Sequence, residues 1–201
     1  MRYTSSKETK LERQVEESSF NAQYSNERVI VYQAYSDLIA NELLFGKNLG
    51  QYFSFNRTSW IKTSFLWMMN RSDWSNKKGQ ERILRISLER DFFNSLLKIA
   101  VSTTYNPRKY NSIDQWREDL NNSEAIYQMD PDRDLFGIRQ KRKAIQLGLR
   151  GSILKKCFNE KILAMEDITN FVKDQHLNLE LGREELVQLP VELPYPLSPS
   201  K

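Results

Sequence analysis

The sequence is poor in the residues that many catalytic and metal-binding motifs require. Its 201 residues include one cysteine, one histidine and seven glycines. Because Cys157 is the one cysteine, an internal disulfide is excluded. Because His176 is the one histidine, a zinc site of the cysteine–histidine type is excluded as well. The glycines form neither GxGxxG nor GxxxxGK[ST]. No metal site is therefore predicted, and neither a Rossmann-type dinucleotide site nor a P-loop is present.

Long apolar runs are missing as well. No segment approaches the roughly 18 consecutive apolar residues that a membrane-spanning helix needs. The first ten residues, MRYTSSKETK, are polar and lack the apolar segment of a secretory signal. Together with the single cysteine, these features predict a protein of a reducing compartment, cytoplasmic or nuclear, without a membrane partner.

Aromatic residues make a core possible in this otherwise polar chain. Apolar residues form 39% of the sequence and include 10 Phe, 9 Tyr and 4 Trp. The length suits one well-packed domain, which we assign to residues 27–189. Residues 1–26 are polar and predict a flexible N-terminal arm. Residues 190–201 contain four prolines and predict an extended tail, docked through alternating apolar side chains: Val191, Leu193, Tyr195 and Leu197.

The hydrophobic pattern predicts both strands and helices. The predicted strands are residues 29–32, 83–88 and 125–129, the last ending at Asp130-Pro131. Helices are predicted after Ser36, after Asp91 and over residues 162–172, and a long loop over residues 104–123. The elements do not alternate regularly as strand and helix. We therefore predict an α+β domain with a small mixed sheet, packed helices and extended tails.

Positive charge is concentrated in one segment. The formal net charge is +4, yet residues 139–156 carry seven basic side chains and no acid. Such a segment attracts nucleotides or nucleic acid if its charges share one surface. The alternative is a solvated face balanced by acids elsewhere in the fold.

The most informative segment is residues 53–74, FSFNRTSWIKTSFLWMMNRSDW, in which aromatics alternate with cations. Thr63 or Ser64 can cap a short helix that runs to Arg71, and Trp60, Trp67 and Trp74, seven residues apart, could line one helical face. A helix start beside Lys62 would favour an anion, and an aromatic ring beside guanidinium groups would favour a stacked base. The alternatives are that the tryptophans, Trp67 above all, belong to the core and that Lys62 pairs with a buried acid such as Asp130.

Several segments together resemble a known family. They are VYQAYS (31–36), FNRTSWIKTSFLWMMNRSDW (55–74), GQERIL (79–84), YQMDPDRD (127–134) and RKAIQLGLRG (142–151). Over about residues 28–197 the chain resembles the family called domain of unknown function 4291, which implies no particular activity. The chain departs from the family pattern at Thr63, where members often have proline, and at Met129, where they often have tryptophan.

The same segments mark a candidate site. Lys62 and Asp130 are the candidate catalytic residues. The candidate ligand-binding residues are Gln33, Tyr35, Arg57, Trp60, Ser64, Arg71, Gln128, Arg133 and Gln146. Polar side chains at strand ends and in the turns that follow are where binding sites collect.

These residues suit a protein that handles nucleotides or nucleic acid. The order of elements is weakly similar to the ADP-ribosyltransferase superfamily, which would imply NAD or another nucleotide as cofactor and Asp130 as the acidic residue. Gln33 replaces the usual arginine or histidine of that superfamily. The alternatives are a non-catalytic RNA- or nucleotide-binding module and a protein-interaction domain that uses the proline-rich tail. Enzymatic activity and oligomeric state stay open at this point.

Overall fold

The centre of the computed structural model, which describes residues 20–46 and 49–196, is a mixed seven-stranded sheet. The strands among the described residues are β1 (Asn21–Ala22), β2 (Arg28–Tyr35), β3 (Ser59–Lys62), β4 (Arg82–Glu89), β5 (Val101–Ser102), β6 (Ala125–Arg133), β7 (Arg139–Leu149), β8 (Ile162–Asp167) and β9 (Leu193–Pro194). The order in the large sheet is β5-β6-β7-β3-β2-β4-β8, and β1 pairs with β9 in a second sheet. Only the β5–β6 pair in the large sheet is parallel.

The described part of the chain contains six α-helices, which pack around the sheet. They are α1 (Asp37–Phe45), α2 (Phe65–Ser72), α3 (Arg90–Ile99), α4 (Ile113–Asn122), α5 (Gly151–Lys156) and α6 (Thr169–Glu180). None of these helices combines the length and apolar character needed to cross a bilayer, a statement limited to residues 20–46 and 49–196. The predicted α+β class with a mixed sheet is confirmed.

Both faces of the sheet are buried, and alternation along the strands divides the core in two. On one face Val29 and Val31 of β2 pack with Phe93 of α3. On the other, Ile30 and Tyr32 of β2 pack with residues of α2 and α6. Burial on both sides explains why residues 29–32 form an uninterrupted apolar run instead of an alternating one.

Helix α2 begins where the sequence predicts it. The Ser64 hydroxyl oxygen accepts a hydrogen bond from the Trp67 amide at 3.2 Å, the interaction expected of an N-cap. The helix ends at Asp73, whose φ of 51° is left-handed. The three tryptophans do not share a helical face, because Trp60 lies in β3 and Trp74 follows the helix.

Other element predictions are wrong. Residues 162–167 form β8, so the last helix begins only at Thr169, and the predicted loop over 104–123 contains α4. β6 continues through Asp130 and Pro131 to Arg133. Pro131 is tolerated because β5 pairs only with Ile126 and Tyr127, which leaves the outer edge of β6 unpaired where proline lacks its N–H.

The first and last described segments of the chain meet over α3. Residues 20–26, assigned above to the flexible arm, instead pack on the domain, and Phe20 is only 1% exposed. Its ring stacks on that of Tyr195 at 5.4 Å between centroids, and the Tyr195 hydroxyl donates to Asn94 Oδ1 at 2.7 Å. One aromatic side chain thus anchors a segment whose average composition is polar. Arm residues 1–19 and tail residues 197–201 lie outside the described residues.

Only part of the predicted tail alternation is buried. Tyr195 is 4% exposed, whereas Val191 and Leu193 are exposed. A second tail residue, Glu192, turns inward and accepts a hydrogen bond from the Phe65 amide at 2.7 Å. Burial, reinforced by the Asp132 charge, raises the pKa of Glu192 to about 8, although the Phe65 amide and Arg142 oppose this.

We expect Tyr195→Ala to lower the free energy of unfolding by about 3 kcal/mol, because it removes a buried ring and a hydrogen bond. Leu193→Ala is the matched control: its side chain is 56% exposed and β9 pairs through backbone atoms, so the change should stay within about 0.5 kcal/mol. Urea denaturation of both variants measures the difference. Equal, small effects would show that the tail does not contribute to stability.

Glu192→Gln should change the pH dependence of stability. Because the carboxyl binds its proton more tightly in the folded state than at its ordinary pKa of 4.5, its stabilising effect is complete below that pH and is lost as pH rises to about 8. Glutamine keeps the acceptor without the charge. The variant should therefore exceed the parent by roughly 1–2 kcal/mol at pH 8 and lose this advantage near pH 5.

Urea denaturation between pH 5 and 8 measures this, with the exposed Glu185→Gln as the control. A difference between Glu192→Gln and its parent that stays constant across this range would contradict a buried carboxyl with a raised pKa.

Candidate functional site

A cavity of about 580 Å³ lies where β3, β6 and β7 meet α2. Its lining residues are Trp60, Lys62, Trp67, Arg71, Gln128, Asp130, Pro131, Arg133, Arg139 and Gln146. Seven of these are candidate site residues from the sequence: Trp60, Lys62, Arg71, Gln128, Asp130, Arg133 and Gln146. They come from four elements in two distant parts of the chain, β3 and α2 in one and β6 and β7 in the other. This volume is within the range of small-molecule sites, about 300–1,000 Å³.

Strand register brings the polar side chains together. Gln128 of β6 pairs with Gln146 of β7, and Gln146 pairs in turn with Lys62 of β3. Residues directly opposite each other in antiparallel strands project to the same face. Asp130 lies two residues beyond Gln128, and Trp60 two before Lys62, so the period of two places both on that face.

The carboxylate of Asp130 is held by two amides. Gln128 Nε2 donates to Oδ1 at 2.9 Å, and Gln146 Nε2 donates to Oδ2. Within residues 20–46 and 49–196 no ion pair joins Asp130 to Lys62. The alternative that Lys62 is held by Asp130 as a buried ion pair is therefore wrong. The acid instead orients the two glutamine side chains.

Lys62 pairs with Gln146, and its amine lies in an environment that is unusual for lysine. Its Nζ donates to the Trp60 carbonyl oxygen at 2.6 Å. Burial, with a smaller contribution from the Arg71 charge, lowers the pKa of Lys62 to about 7. Near neutral pH the side chain is therefore close to the midpoint between ammonium and free amine.

The pocket has an excess of positive charge. Four basic residues line it, Lys62, Arg71, Arg133 and Arg139, against Asp130 alone. Arg71 and Arg139 are exposed, whereas Arg133 donates to the Gly137 carbonyl oxygen at 3.1 Å. Among the described residues no cluster of acids, histidines or cysteines has the placement that a metal ion needs. The pocket thus suits an anion better than a cation.

The start of α2 is not free to bind an external anion, as the sequence predicts it to be. Glu192 accepts the Phe65 N–H, and Ser64 Oγ donates to Asp132 Oδ1 at 2.6 Å while capping Trp67. Arg142 contacts the other oxygen of Asp132 at 2.8 Å. Because the chain supplies its own carboxylates here, Ser64 has a structural role and lies outside the pocket.

Three further candidates also lie elsewhere. Gln33 and Tyr35 project from the opposite face of the sheet to Tyr32 and Lys62, because β2 alternates. Gln33 Nε2 donates to Ser59 Oγ at 2.8 Å and to the Trp60 carbonyl oxygen at 3.1 Å. Gln33 therefore contacts β3 from the face of the sheet opposite the pocket. Arg57 belongs to the turn before β3 and is not a lining residue.

The basic segment 139–156 does not form one surface. Arg142 pairs with Asp132, and Arg150 donates to three carbonyl oxygens at the end of α4. Lys155 and Lys156 lie in α5, while only Arg139 lines the cavity among the seven. The basic residues of this segment therefore make different local contacts and do not line a single groove.

Sequence reasoning missed some residues of the site. Pro131 and Arg139 line the cavity, and so does Trp67, which is also buried, at 9% exposed, as its prediction as a core residue requires. The spacing of Trp67 and Arg71, four residues apart in a helix, was the available signal because it places both on one face. Asp132 and Glu192 carry no comparable signal, since their partners are distant in the chain.

The comparisons with known proteins agree with the resemblance noted in the sequence. No curated protein matches the chain. The family described as "Domain of unknown function (DUF4291)" matches residues 19–195, beginning earlier than the resemblance at residue 28 and including the Phe20 anchor. That range contains every lining residue of the cavity. The chain therefore belongs to the DUF4291 family.

Proposed function

We propose that the pocket binds a nucleotide, with its phosphate among the basic residues and its base against the tryptophans. The observation that carries this proposal is the charge of the lining. Three arginines and the partly protonated Lys62 face a cavity in which Asp130 is the one carboxylate among the described lining residues, and each Asp130 oxygen accepts a hydrogen bond. A lining with this excess of positive charge favours an anionic ligand.

The guanidinium groups are suited to a phosphate. Arg71 of α2 and Arg139 of β7 belong to different elements, and both are exposed side chains of the lining. Arginine binds phosphate oxygens through paired N–H donors, with a geometry that lysine cannot reproduce. Arginines at the exposed rim would hold the charged end of the ligand near solvent.

Trp60 supplies a planar surface for the base. Its indole lies over Gly148 of β7: a Cβ added there would come within 3.1 Å of Trp60 Cε2 and 2.9 Å of Ile126 Cγ1. The absence of a side chain at Gly148 thus leaves room for the ring. Stacking of a base on an aromatic side chain contributes about 1–3 kcal/mol.

The two glutamines offer polar contacts for the edge of a base. Each donates one N–H to Asp130, which fixes the orientation of the amide and leaves its carbonyl oxygen free to accept. A glutamine amide so placed can accept from an amino group and donate to a ring nitrogen, as in adenine recognition. A mononucleotide would use the tryptophan, the glutamines and the arginines together.

The geometry favours binding over ADP-ribosyl transfer. Such transfer would need Gln33 and Asp130 around one ligand, and Gln33 lies on the opposite face of the sheet. It also favours a small ligand over a long nucleic acid. The charges of residues 139–156 diverge, and a strand of eleven residues such as β7 extends over roughly 36 Å.

Arg71→Met should weaken the binding of AMP or ATP about tenfold or more, because it removes a charged hydrogen-bond donor from the phosphate. Lys141→Met removes a charge from the exposed part of β7 outside the pocket and should change affinity less than about twofold. Isothermal titration calorimetry compares the two variants, with adenosine as the ligand without phosphate. Absence of binding to every nucleotide by the parent protein would refute the proposal.

Lys62→Met should weaken nucleotide binding at pH 7 without lowering the melting temperature, since no paired carboxylate is left behind. The pKa of about 7 adds a pH test. An anion binds the ammonium form, so the affinity of the parent should fall as pH rises from 7 to 9, where the nucleotide phosphates are already ionised. The Lys62→Met protein should bind with nearly constant affinity over that range. A matching decline in both would assign the titration to another group.

A further inference from the structure

We propose that Lys62 is an amine nucleophile that forms an imine with an aldehyde or ketone carrying a phosphate or carboxylate group. This inference goes beyond nucleotide binding and shares with it only the preference of the pocket for anions. It rests first on position. Lys62 lines the cavity at the β3 end of the row that begins with Gln128 and Gln146, so a ligand in the cavity meets its side chain.

The second ground is the hydrogen bonding of Lys62. Its Nζ donates to the main-chain carbonyl oxygen of Trp60, a neutral acceptor that orients the amine without holding a charge. Asp130, the acid of the pocket, accepts its hydrogen bonds from the two glutamine amides and makes none with Lys62. Nothing within hydrogen-bond distance of Lys62 in the described part of the chain would retain a proton on the amine as an ion pair would.

The third ground is the charge around the amine. The titratable and charged groups that line the cavity with Lys62 or pair with it in the sheet are Arg71 from α2, Asp130 and Arg133 from β6, Arg139 from β7 and Tyr32 from β2. Three of the five are cations. A lysine that is both desolvated and next to a cation is the arrangement that activates amine nucleophiles, and its pKa of about 7 agrees with this.

The reaction requires no further reagent. The lone pair of the neutral Nζ attacks the carbonyl carbon, and the C=O π electrons move to oxygen to give a carbinolamine after proton transfer from nitrogen. The carbinolamine then loses its hydroxyl and the second nitrogen proton as one water molecule, leaving a C=N bond. One amine and one carbonyl compound thus yield one imine and one water, without oxidation or reduction.

The arginines define the class of carbonyl compound. Arg71 and Arg139 stay charged at neutral pH, so they can bind a phosphate or carboxylate while Lys62 is the free amine. The anion would hold the carbonyl group near Nζ and raise its local concentration. Compounds without an anionic group lack this advantage.

The test uses pyridoxal 5′-phosphate as a probe at equimolar concentration, reduction with borohydride, and peptide mapping by mass spectrometry. At pH 7 we expect Lys62 to be labelled about tenfold faster than Lys141, an exposed lysine of the same chain that serves as the internal control. Pyridoxal, which lacks the phosphate, should label Lys62 several-fold more slowly than pyridoxal 5′-phosphate does, because the arginines no longer hold it near the amine. Arg71→Met should slow labelling of Lys62 by pyridoxal 5′-phosphate without affecting Lys141.

Equal labelling of Lys62 and Lys141 would overturn the inference, and so would equal rates with pyridoxal and its phosphate. Nucleotide titrations of the same preparation separate this outcome from the proposed function. Nucleotide binding without selective labelling would contradict the imine inference and leave the nucleotide proposal in place. Selective labelling without nucleotide binding removes the nucleotide proposal and leaves Lys62 as a nucleophile.

Discussion

The register of the antiparallel strands is the constraint on which the site depends. Gln128, Gln146 and Lys62 lie opposite one another across β6, β7 and β3, and Tyr32 of β2 continues the row. A shift of one residue in any pair would turn a polar side chain to the other face. The apolar packing on both faces of the sheet makes such a shift unfavourable, because it would also move core residues into the pocket.

Two acids of β6, only two residues apart, have different roles because their partners differ. Asp130 shares the pocket with the glutamines, and Asp132, two residues later, is 1% exposed beneath the start of α2. Asp132 accepts from Ser64 and pairs with Arg142, while Glu192 of the tail covers the first amide of the helix. The acids that hold α2 in place are thereby kept out of the cavity, which leaves its lining positively charged.

Packing between the first and last described segments of the chain also positions α2. Phe20 and Tyr195 stack on each other and both contact Phe93 edge to face, so the first and last described segments are fixed to α3. Glu192 lies three residues before Tyr195 and reaches the other face of the sheet at α2. The docked tail therefore links the core under α3 to the helix that forms one wall of the pocket.

Some of these features follow from the sequence alone. The apolar run at residues 29–32, the cap of α2 at Ser64 and seven of the lining residues are local patterns, and local propensity is visible in one segment at a time. The site was therefore largely predictable as a set of residues, but its geometry was not. Tertiary structure alone decided that Gln33 and Tyr35 face away from the cavity, that Asp130 binds two amides instead of Lys62, and that Glu192 occupies the start of α2. Each of these depends on strand register or on a contact between distant residues, and neither is encoded in the spacing of neighbours along the chain.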